Sequence, residues 1–426
     1  MQTNNESIIN AKFNVSINQD WSFTGSRSVD NLTHGYHRYP AKFIPQIVKK
    51  LIETYTVKAD KIADVFAGCG TTLVESKVHG RNSIGVDINP VAQLITKAKI
   101  KPLDPSELQQ NISNFTRQLL EFNSNGTYAG EKHVRIDYWF REKEKNEIAF
   151  LYDLINSIAH EEYKIFFLCA LSNILKNCSR WLQRGTKPQI DPNKNIADPF
   201  VSIVQQLKKM SKKNLEFYNK LLTENNLHTR CDIKLADARN TKIRANSIAA
   251  IITSPPYVTS YEYADIHQLT AYWYDYISDI KSFRKNFIGT FYSNNKILIT
   301  KSTIAQKIID ELKVEDGRLA AEVANYFNNM YDVAKEMKRI LKSNGVTCLV
   351  VGNTTMKNVK INSAEAFAEM LLLLGFTIEE IIKREIPHKI NPTIRDNTSG
   401  KFTKLSSNNK KLIYPEELII IARKPC

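Results

Sequence analysis

A short proline-rich segment at residues 253–257, Thr-Ser-Pro-Pro-Tyr, combines groups suited to holding a planar amino group. Proline has a fixed φ and no N–H, so Pro255 and Pro256 make the turn rigid and leave its carbonyls without a local donor. Ser254 adds a hydroxyl, and Tyr257 adds an aromatic face on which a base could stack. A Pro-Pro pair is also common in ordinary turns at strand ends. The segment therefore gains significance only if other chemical groups meet it.

A second candidate is the glycine-containing turn in the sequence D-V-F-A-G-C-G-T at residues 64–71. Gly68 and Gly70 permit a tight strand-to-helix turn, and the unpaired N–H groups at a helix start can face a ligand. The dinucleotide pattern G-x-G-x-x-G is absent, because the residue three positions after Gly70 is Leu73. Its absence disfavours a nicotinamide or flavin site. Glycines also end strands where no ligand binds, so this turn alone is weak evidence.

Two acidic residues follow the next apolar runs. Asp87, in Gly-Val-Asp-Ile-Asn-Pro, lies at the carboxyl end of a predicted strand, where a carboxylate can accept hydrogen bonds from both ribose hydroxyls. Asp237, in Leu-Ala-Asp-Ala-Arg, ends the following strand and is a candidate for holding an adenine amino group. Either acid could instead cap a helix or lie in a loop. Together with the glycine turn, they predict a cofactor that contains a nucleoside.

The elements that must position these residues alternate between short apolar strands and helices, which is typical of a parallel, doubly wound α/β sheet. Strands are predicted at 61–66, 82–89, 232–239, 247–257, 346–353, 376–384 and 416–423. The alternation is interrupted between about 101 and 230, where the pattern is helical and polar. We therefore expect an N-terminal arm at 1–33, a sheet-forming domain at 34–100 and 231–426, and a mainly helical insertion at 101–230.

Composition favours an anionic partner. The 426 residues include 59 Lys and Arg against 44 Asp and Glu, a formal net charge of +15, although a lysine-rich solubilising surface would give the same balance. The six cysteines form no C-x-x-C pair and have no accompanying His cluster, so neither a metal site nor a disulfide framework is expected. No run approaches 18 apolar residues and the N-terminus lacks an apolar signal region, which predicts a cytoplasmic protein.

The motifs together resemble those of the amino-methylating DNA methyltransferases. Ser-Pro-Pro-Tyr at 254–257 is similar to the family's motif IV, (S/D/N)-P-P-(Y/F/W), and Phe-Ala-Gly-Cys-Gly at 66–70 is similar to its motif I, F-x-G-x-G. Tyr-Pro-Ala-Lys-Phe at 39–43 looks like motif X, with Tyr39 where histidine is usual. The resemblance implies a Rossmann-like methyltransferase sheet of seven strands with the last antiparallel. It also implies S-adenosyl-L-methionine as cofactor and double-stranded DNA as substrate.

The resemblance further implies roles for individual residues. The residues expected to hold a flipped base are Ser254, Pro255, Pro256 and Tyr257. Asp64 would face the ammonium side of the cofactor and Asp87 its ribose. With Asp237 as the adenine candidate, the residues expected at the cofactor are Tyr39, Lys42, Phe43, Asp64, Phe66, Gly68, Gly70, Thr71, Asp87 and Asp237.

The first residue of motif IV indicates the target base. Serine there is typical of enzymes that methylate cytosine N4, whereas aspartate or asparagine is typical of adenine-N6 enzymes. Ser254 therefore favours cytosine N4, with adenine N6 or an RNA base as the alternative. An inactive DNA-binding subunit is a third hypothesis, which the intact glycine turn, Asp87 and S-P-P-Y disfavour. A restriction–modification role would add a cognate endonuclease as a partner.

Contacts to DNA are expected from two basic segments, at 179–194 and 387–414, and from the helical insertion. The candidate residues are Arg180, Arg184, Lys187, Arg395 and Lys401. Both segments could equally be solvated loops. The aromatic stretch at 257–276 could line a base pocket or replace the extracted base, but core packing would also explain it.

Overall fold

The computed structural model describes residues 9, 11–24, 30–40, 42–183, 188–258, 262–290, 298–386, 394–396, 403, 406–412 and 416–426, without the side chains of 394–396 and 410–412. The strands are β1 (Lys61–Asp64), β2 (Asn82–Asp87), β3 (Cys231–Leu235), β4 (Ile248–Thr253), β5 (Leu341–Val351), β6 (Thr354–Met356), β7 (Val359–Ile361), β8 (Thr377–Glu385), β9 (Ile394–Asp396), β10 (Lys410–Leu412) and β11 (Glu416–Arg423). Two antiparallel pairs, β6 with β7 and β9 with β10, lie outside the main sheet.

The helices are numbered in chain order. They are α1 (Pro45–Tyr55), α2 (Thr71–Val78), α3 (Pro90–Ile100), α4 (Pro105–Gln118), α5 (Val134–Trp139), α6 (Glu142–Asn156), α7 (Glu161–Ile174), α8 (Pro199–Thr223), α9 (Tyr263–Ile266), α10 (Gln268–Trp273), α11 (Ile280–Lys285), α12 (Thr303–Glu315), α13 (Gly317–Ile340) and α14 (Ser363–Leu373). Helices α3, α4 and α8 begin with proline at the first helical position, after Asn89, Asp104 and Asp198, whose side chains cap them. In the described part of the chain, no helix is both long and apolar enough to cross a membrane.

Among the described residues, seven strands form the main sheet in the order β3-β2-β1-β4-β5-β11-β8. The five strands from β3 to β5 run parallel to their neighbours, whereas β11 pairs antiparallel with both β5 and β8. The predicted doubly wound sheet of seven strands with an antiparallel last strand is confirmed. Because β1 lies between β2 and β4, the carboxyl ends of these three strands meet at one edge of the sheet.

Both faces of the sheet are covered by helices, as expected for parallel strands. Alternate residues of β4 point to opposite faces. Ala250 and Ile252 pack in a cluster with the apolar face of α1, while Ile251 packs in the larger cluster with α12, α13 and α14. All three residues are completely buried. The strand that leads into the proline-rich turn is therefore held on both sides.

Residues 101–230 contain helices α4 to α8 and share a separate apolar cluster. Trp139 and Trp181 stack there with ring centroids 4.9 Å apart. The same cluster contains Tyr272, Trp273 and Tyr274 of the aromatic stretch, all of them buried. The second half of that stretch therefore packs with the helices of 101–230 and with α3.

Residues 17–22 lie along the outer edge of the sheet. Ile17 forms an isolated bridge to Lys383 of β8, and the Asn18 N–H donates to the Lys383 carbonyl over 2.7 Å. Trp21 is buried against this edge, and its ring lies 4.5 Å from the ammonium group of Lys50. Residues 17–22, which we call the docked arm segment, are thus packed onto the sheet.

Candidate active site

The two motifs predicted to do chemistry meet at neighbouring strand ends. Asp64 is the last residue of β1 and Thr253 is the last residue of β4, two parallel neighbours in the sheet. The Thr253 hydroxyl donates to Asp64 Oδ1 over 2.6 Å. This bond joins the turn at 64–71, called the cofactor turn below, to residues 254–257, called the proline corner.

The cofactor turn depends on its glycines. Gly68 and Gly70 have φ values of +50° and +79°, in the left-handed region that favours glycine. A Cβ on Gly70 would lie 2.7 Å from the side chain of Thr96, and a Cβ on Gly68 would lie 3.3 Å from the Tyr39 hydroxyl oxygen. Without side chains at these positions, the backbone of the turn packs closely against Tyr39 of motif X. It also directs the Gly68 N–H to Asp87 Oδ2, over 2.8 Å.

Two carboxylates of this site have raised pKa values. Burial raises the pKa of Asp64 to about 6, opposed by the hydrogen bonds that it accepts. The pKa of Asp87 is also raised to about 6. Burial is the main cause and the charge of Asp64 adds to it, while hydrogen bonds from the backbone N–H groups of Asn89 and Gly68 oppose the rise. Ionised, the two form a negative region that favours a cationic ligand.

One cavity contains most of the predicted residues. From the predicted cofactor set, its lining includes Tyr39, Lys42, Phe43, Asp64, Phe66, Gly68, Thr71, Asp87 and Asp237. From the proline corner, its lining includes Ser254 and Pro256. Gly70, Pro255 and Tyr257 are not among the lining residues, and Gly70 instead acts through the backbone of the turn. The cavity therefore spans both motifs.

The proline corner is held by contacts from distant parts of the chain. The Ser254 hydroxyl donates to the Val350 carbonyl on β5 over 3.0 Å. The Pro256 carbonyl, for which the sequence offers no local donor, accepts a 2.8 Å hydrogen bond from Tyr326 of α13. The donor therefore comes from a distant helix.

Two further predicted residues are already paired. Asp237 receives hydrogen bonds from the Arg239 guanidinium, with Nη2 2.5 Å from Oδ2, and its side chain is 29% exposed. Lys42 pairs with Asp30. Both residues still line the cavity, so the remaining acceptor positions of Asp237 and the remaining N–H groups of Lys42 would be available to a ligand.

The structure describes only part of the predicted DNA surface. Arg180 Nη2 donates to the carbonyls of Asp137 and Tyr138, over 3.0 Å and 2.5 Å, so this side chain holds the end of α5. Arg184, Lys187 and Lys401 lie outside the described residues. Arg395 lies on β9, and its side chain is outside them as well. Among the described residues, no group of three or more His, Cys, Asp or Glu side chains is arranged to hold a metal ion.

A third wall of the cavity lies after the proline corner, and sequence reasoning found only part of it. Glu262 and Tyr263 belong to the aromatic stretch at 257–276 that could line a base pocket, whereas Asn286, Phe287, Ile288 and Thr290 were missed. The Thr290 hydroxyl donates to Glu262 Oε2 over 3.4 Å. The segment 286–290 carries no recognisable motif, so only its place in the fold identifies it. Ile88 and Ala238, which also line the cavity, could have been found as the neighbours of Asp87 and Asp237.

Comparison with known proteins identifies the family. A model of the N6/N4 DNA methylase family matches residues 2–98 and 248–425, more than half of the chain. The chain belongs to this DNA methylase family. The predictions of the amino-methyltransferase family and of S-adenosylmethionine as its cofactor are therefore confirmed. The match leaves out residues 99–247, which include helices α4 to α8.

Relatives of this DNA methylase extend over most of its length. The type II methyltransferase M.MvaI of Kocuria varians is 28% identical over 418 residues, which cover 90% of each chain. The type II methyltransferase M.BsoBI of Geobacillus stearothermophilus is 26% identical over 264 residues, covering 55% of this chain and 51% of the relative. A solved putative DNA modification methylase of Thermus thermophilus, complexed with S-adenosyl-L-methionine, is 16% identical with a TM-score of 0.23. It covers 45% of this chain and 54% of the solved one.

Proposed function

We propose that this protein transfers a methyl group from S-adenosylmethionine to the N4 amino group of cytosine in double-stranded DNA, as the modification enzyme of a type II restriction–modification system. The observation that carries the proposal is the shared cavity, whose lining includes both Asp87 and Ser254. Serine at the first position of motif IV favours cytosine N4. The type II designation of M.MvaI supports the modification role.

The described residues fit S-adenosylmethionine, which has a cationic ammonium and sulfonium, a ribose and an adenine. Asp64 and Asp87 provide the matching negative charge in a buried setting. Each carboxylate has about four acceptor positions, and Asp87 uses two of them for the N–H groups of Gly68 and Asn89. We expect Asp87 to bind the ribose hydroxyls, Asp64 to face the ammonium group, and Asp237 to bind the adenine amino group.

Ser254 is oriented to act as a hydrogen-bond acceptor. Its hydroxyl donates to the Val350 carbonyl, and Ser254 lines the cavity, so we expect Oγ to accept a hydrogen bond from a group bound there. An amino group has two hydrogens, and we expect one to bind Ser254 Oγ and the other the Pro255 carbonyl. These bonds would favour a more tetrahedral nitrogen, whose lone pair is less delocalised into the ring.

The bound cofactor supplies a methyl group on an activated sulfonium, so no covalent enzyme intermediate is required. The contribution of the protein is alignment of the nitrogen with the bond that breaks. The Thr253–Asp64 hydrogen bond fixes the two halves of the cavity relative to each other. The amino nitrogen gains the methyl group and a positive charge, and we expect it then to release one of its two protons to water, which restores a neutral amine.

A paired cytosine reaches this cavity only after rotation out of the helix. We propose that Tyr257 stacks on the flipped base and that the insertion at 101–230 contributes to recognition of the flanking DNA. The excess of 15 positive charges supports binding to the phosphate backbone. Arg184, Lys187, Arg395 and Lys401 remain candidates for that contact.

The proposal is tested by expressing the chain in a bacterium that lacks DNA methylation and sequencing its genome for modified bases. N4-methylcytosine within one short motif supports the proposal and gives the recognition sequence. N6-methyladenine in such a motif would replace cytosine N4 with the adenine alternative. The Ser254→Ala variant, expressed to the same level, is the control for endogenous modification.

A further inference from the structure

A line of polar contacts connects the proline corner to the docked arm segment. The Tyr257 hydroxyl donates to Glu417 Oε1 over 3.0 Å, and Glu417 Oε2 is ion-paired with Arg384 Nη1. Arg384 Nε in turn donates to the Trp21 carbonyl over 2.8 Å, and Nη2 to the Ser22 carbonyl over 3.4 Å. Three strands or segments that are far apart in the sequence therefore converge on one tyrosine.

Burial makes this line of contacts hard to rearrange. The Arg384 side chain is completely buried, and that of Glu417 is 17% exposed. A buried guanidinium needs a countercharge and acceptors for its N–H groups, because leaving either unpaired is strongly destabilising. Glu417 supplies the charge and the docked arm segment supplies carbonyls. The carboxylate that accepts from Tyr257 is consequently fixed in position.

The tyrosine is held as the donor in this contact. Burial, followed by the charge of Glu417, raises the pKa of Tyr257 well above its usual value, so the phenol stays protonated. A tyrosine ring has two side-chain torsions, and holding the para oxygen restrains the first of them, because the oxygen lies on the axis of the second. The phenol O–H prefers the plane of the ring, so an acceptor held at one side of the oxygen also restrains that plane.

We propose that Glu417 and Arg384 are positioning residues for methyl transfer, which hold the ring of Tyr257 in the plane required for stacking on the flipped base. This inference rests on the proposed role of Tyr257. The carbonyls of the docked arm segment accept hydrogen bonds from Arg384. This segment therefore supports the base side of the active site without touching the base.

The neighbouring residues provide a matched control. Glu416 forms an ion pair with Lys383 at 2.8 Å, across the same two strands and one residue before Glu417. Both of these side chains are about one-third exposed, and no hydrogen bond of the described residues links them to the proline corner. Shortening Glu416 to aspartate therefore perturbs the strand pair without changing the Tyr257 contact.

The test is a double-mutant cycle of Tyr257→Phe and Glu417→Asp. Tyr257→Phe removes only the hydroxyl, and Glu417→Asp keeps the charge for Arg384 while withdrawing the acceptor from Tyr257. We expect each variant to slow single-turnover methyl transfer about tenfold, the effect of losing one charge-assisted hydrogen bond. The double variant should be no slower than either single one. Binding of S-adenosylhomocysteine should be unchanged in all three, and Glu416→Asp should transfer methyl groups at the wild-type rate.

A second readout separates positioning from general loss of structure. In DNA with 2-aminopurine at the target position, stacking on Tyr257 quenches the emission of the flipped base, so emission should rise in Tyr257→Phe and Glu417→Asp but not in Glu416→Asp. A double variant about a hundredfold slower, or equal rates for Glu417→Asp and Glu416→Asp, would overturn the inference. If Glu417→Asp does not fold, a Tyr257→Phe variant with the wild-type transfer rate and the wild-type emission would also overturn the inference.

The product made by the wild-type protein distinguishes the two proposals. If the product is N6-methyladenine, the assignment of cytosine fails. The double-mutant cycle then still tests whether Glu417 positions the ring of Tyr257, with adenine as the flipped base. If the product is N4-methylcytosine and the cycle is additive, only the positioning role fails.

Discussion

The two halves of the cavity are assembled from contacts of very different range along the chain. On the cofactor side, the bond from Gly68 to Asp87 joins residues 19 positions apart. On the base side, Ser254 contacts a residue 96 positions away, and Tyr257 contacts one 160 positions away. The part of the cofactor half from Asp64 to Asp87 is a local strand–turn–helix–strand unit, whereas the base half depends on the packing of the whole sheet.

This difference predicts which functions can be lost separately. Substitutions at distant positions should alter methyl transfer while cofactor binding survives, because the cofactor half contains its own contacts. The exception is Thr253, which donates across the boundary to Asp64.

Ser254→Ala should reduce kcat by about 100-fold to 1000-fold, the usual cost of removing one well-placed polar group that acts in the transition state. The affinity for S-adenosylhomocysteine should stay at the wild-type value, because among the described residues no hydrogen bond joins the Ser254 hydroxyl to the cofactor turn or to Asp87. Methyl-transfer kinetics and calorimetric titration check the two parts. A parallel loss of affinity would show that the halves are not separate.

Asp87→Ala should weaken cofactor binding by about 10-fold to 100-fold, since hydrogen bonds to a charged group each contribute about 1.5–3 kcal/mol. The effect on the methyl-transfer rate at saturating cofactor should be smaller. Titration with S-adenosylhomocysteine measures the affinity, and single-turnover kinetics measure the rate. Normal affinity in this variant would contradict the ribose assignment.

Lowering the pH from 7 to 5 should weaken cofactor binding at least roughly tenfold, because Asp64 and Asp87 have pKa values of about 6 in the ligand-free protein and bind the cofactor as anions. The stability of the ligand-free protein should respond to these two groups in the opposite direction. Their folded-state pKa values lie above the unfolded ones, so the native state binds more protons between about pH 4 and 6 and acidification favours it.

The variant Asp64→Asn isolates these two effects of pH. It should flatten the pH dependence of cofactor affinity and remove part of the stabilisation on acidification, as measured by titration and by thermal unfolding at each pH. A pH dependence identical to that of the wild type would exclude Asp64 as one of the titrating groups.

Thr253→Val should have the smallest effect, a several-fold loss of cofactor affinity at pH 7. It removes the hydroxyl that donates to Asp64 and keeps the side-chain volume, so the pKa of Asp64 should rise further. Titration at pH 7 and pH 8 tests this, because affinity should recover at the higher pH. An equal deficit at both pH values would indicate a change in packing rather than in ionisation.

The same difference in the sequence separation of contacts explains which features could be predicted from the sequence. The strands, the glycine turn and Asp87 follow from apolar runs and from residue types at strand ends, which are local signals, whereas the antiparallel last strand is implied by the resemblance to the family. The wall formed by 286–290 and the contact of Tyr326 with Pro256 follow from the packing of α13 and of loops onto the sheet. No periodicity or spacing encodes those contacts.

The N-terminus illustrates the same limit. Residues 1–33 are polar with little periodicity, which predicts an arm, yet Trp21 is buried and Ser22 receives a 3.1 Å hydrogen bond from the Glu385 N–H. The edge of β8 supplies the partners, and its pairing with β11 depends on the far end of the chain. A local pattern could not show that this segment reaches the line of contacts to Tyr257.

The central claim is that cofactor and base meet at the adjoining ends of β1, β2 and β4. A crystal structure with S-adenosylhomocysteine and DNA containing the target base tests it most directly. The account predicts the ribose hydroxyls on Asp87, the target amino group on Ser254, and the sulfur atom between them, in line with the amino nitrogen. A base held elsewhere, with its amino group remote from the sulfur, would contradict the account.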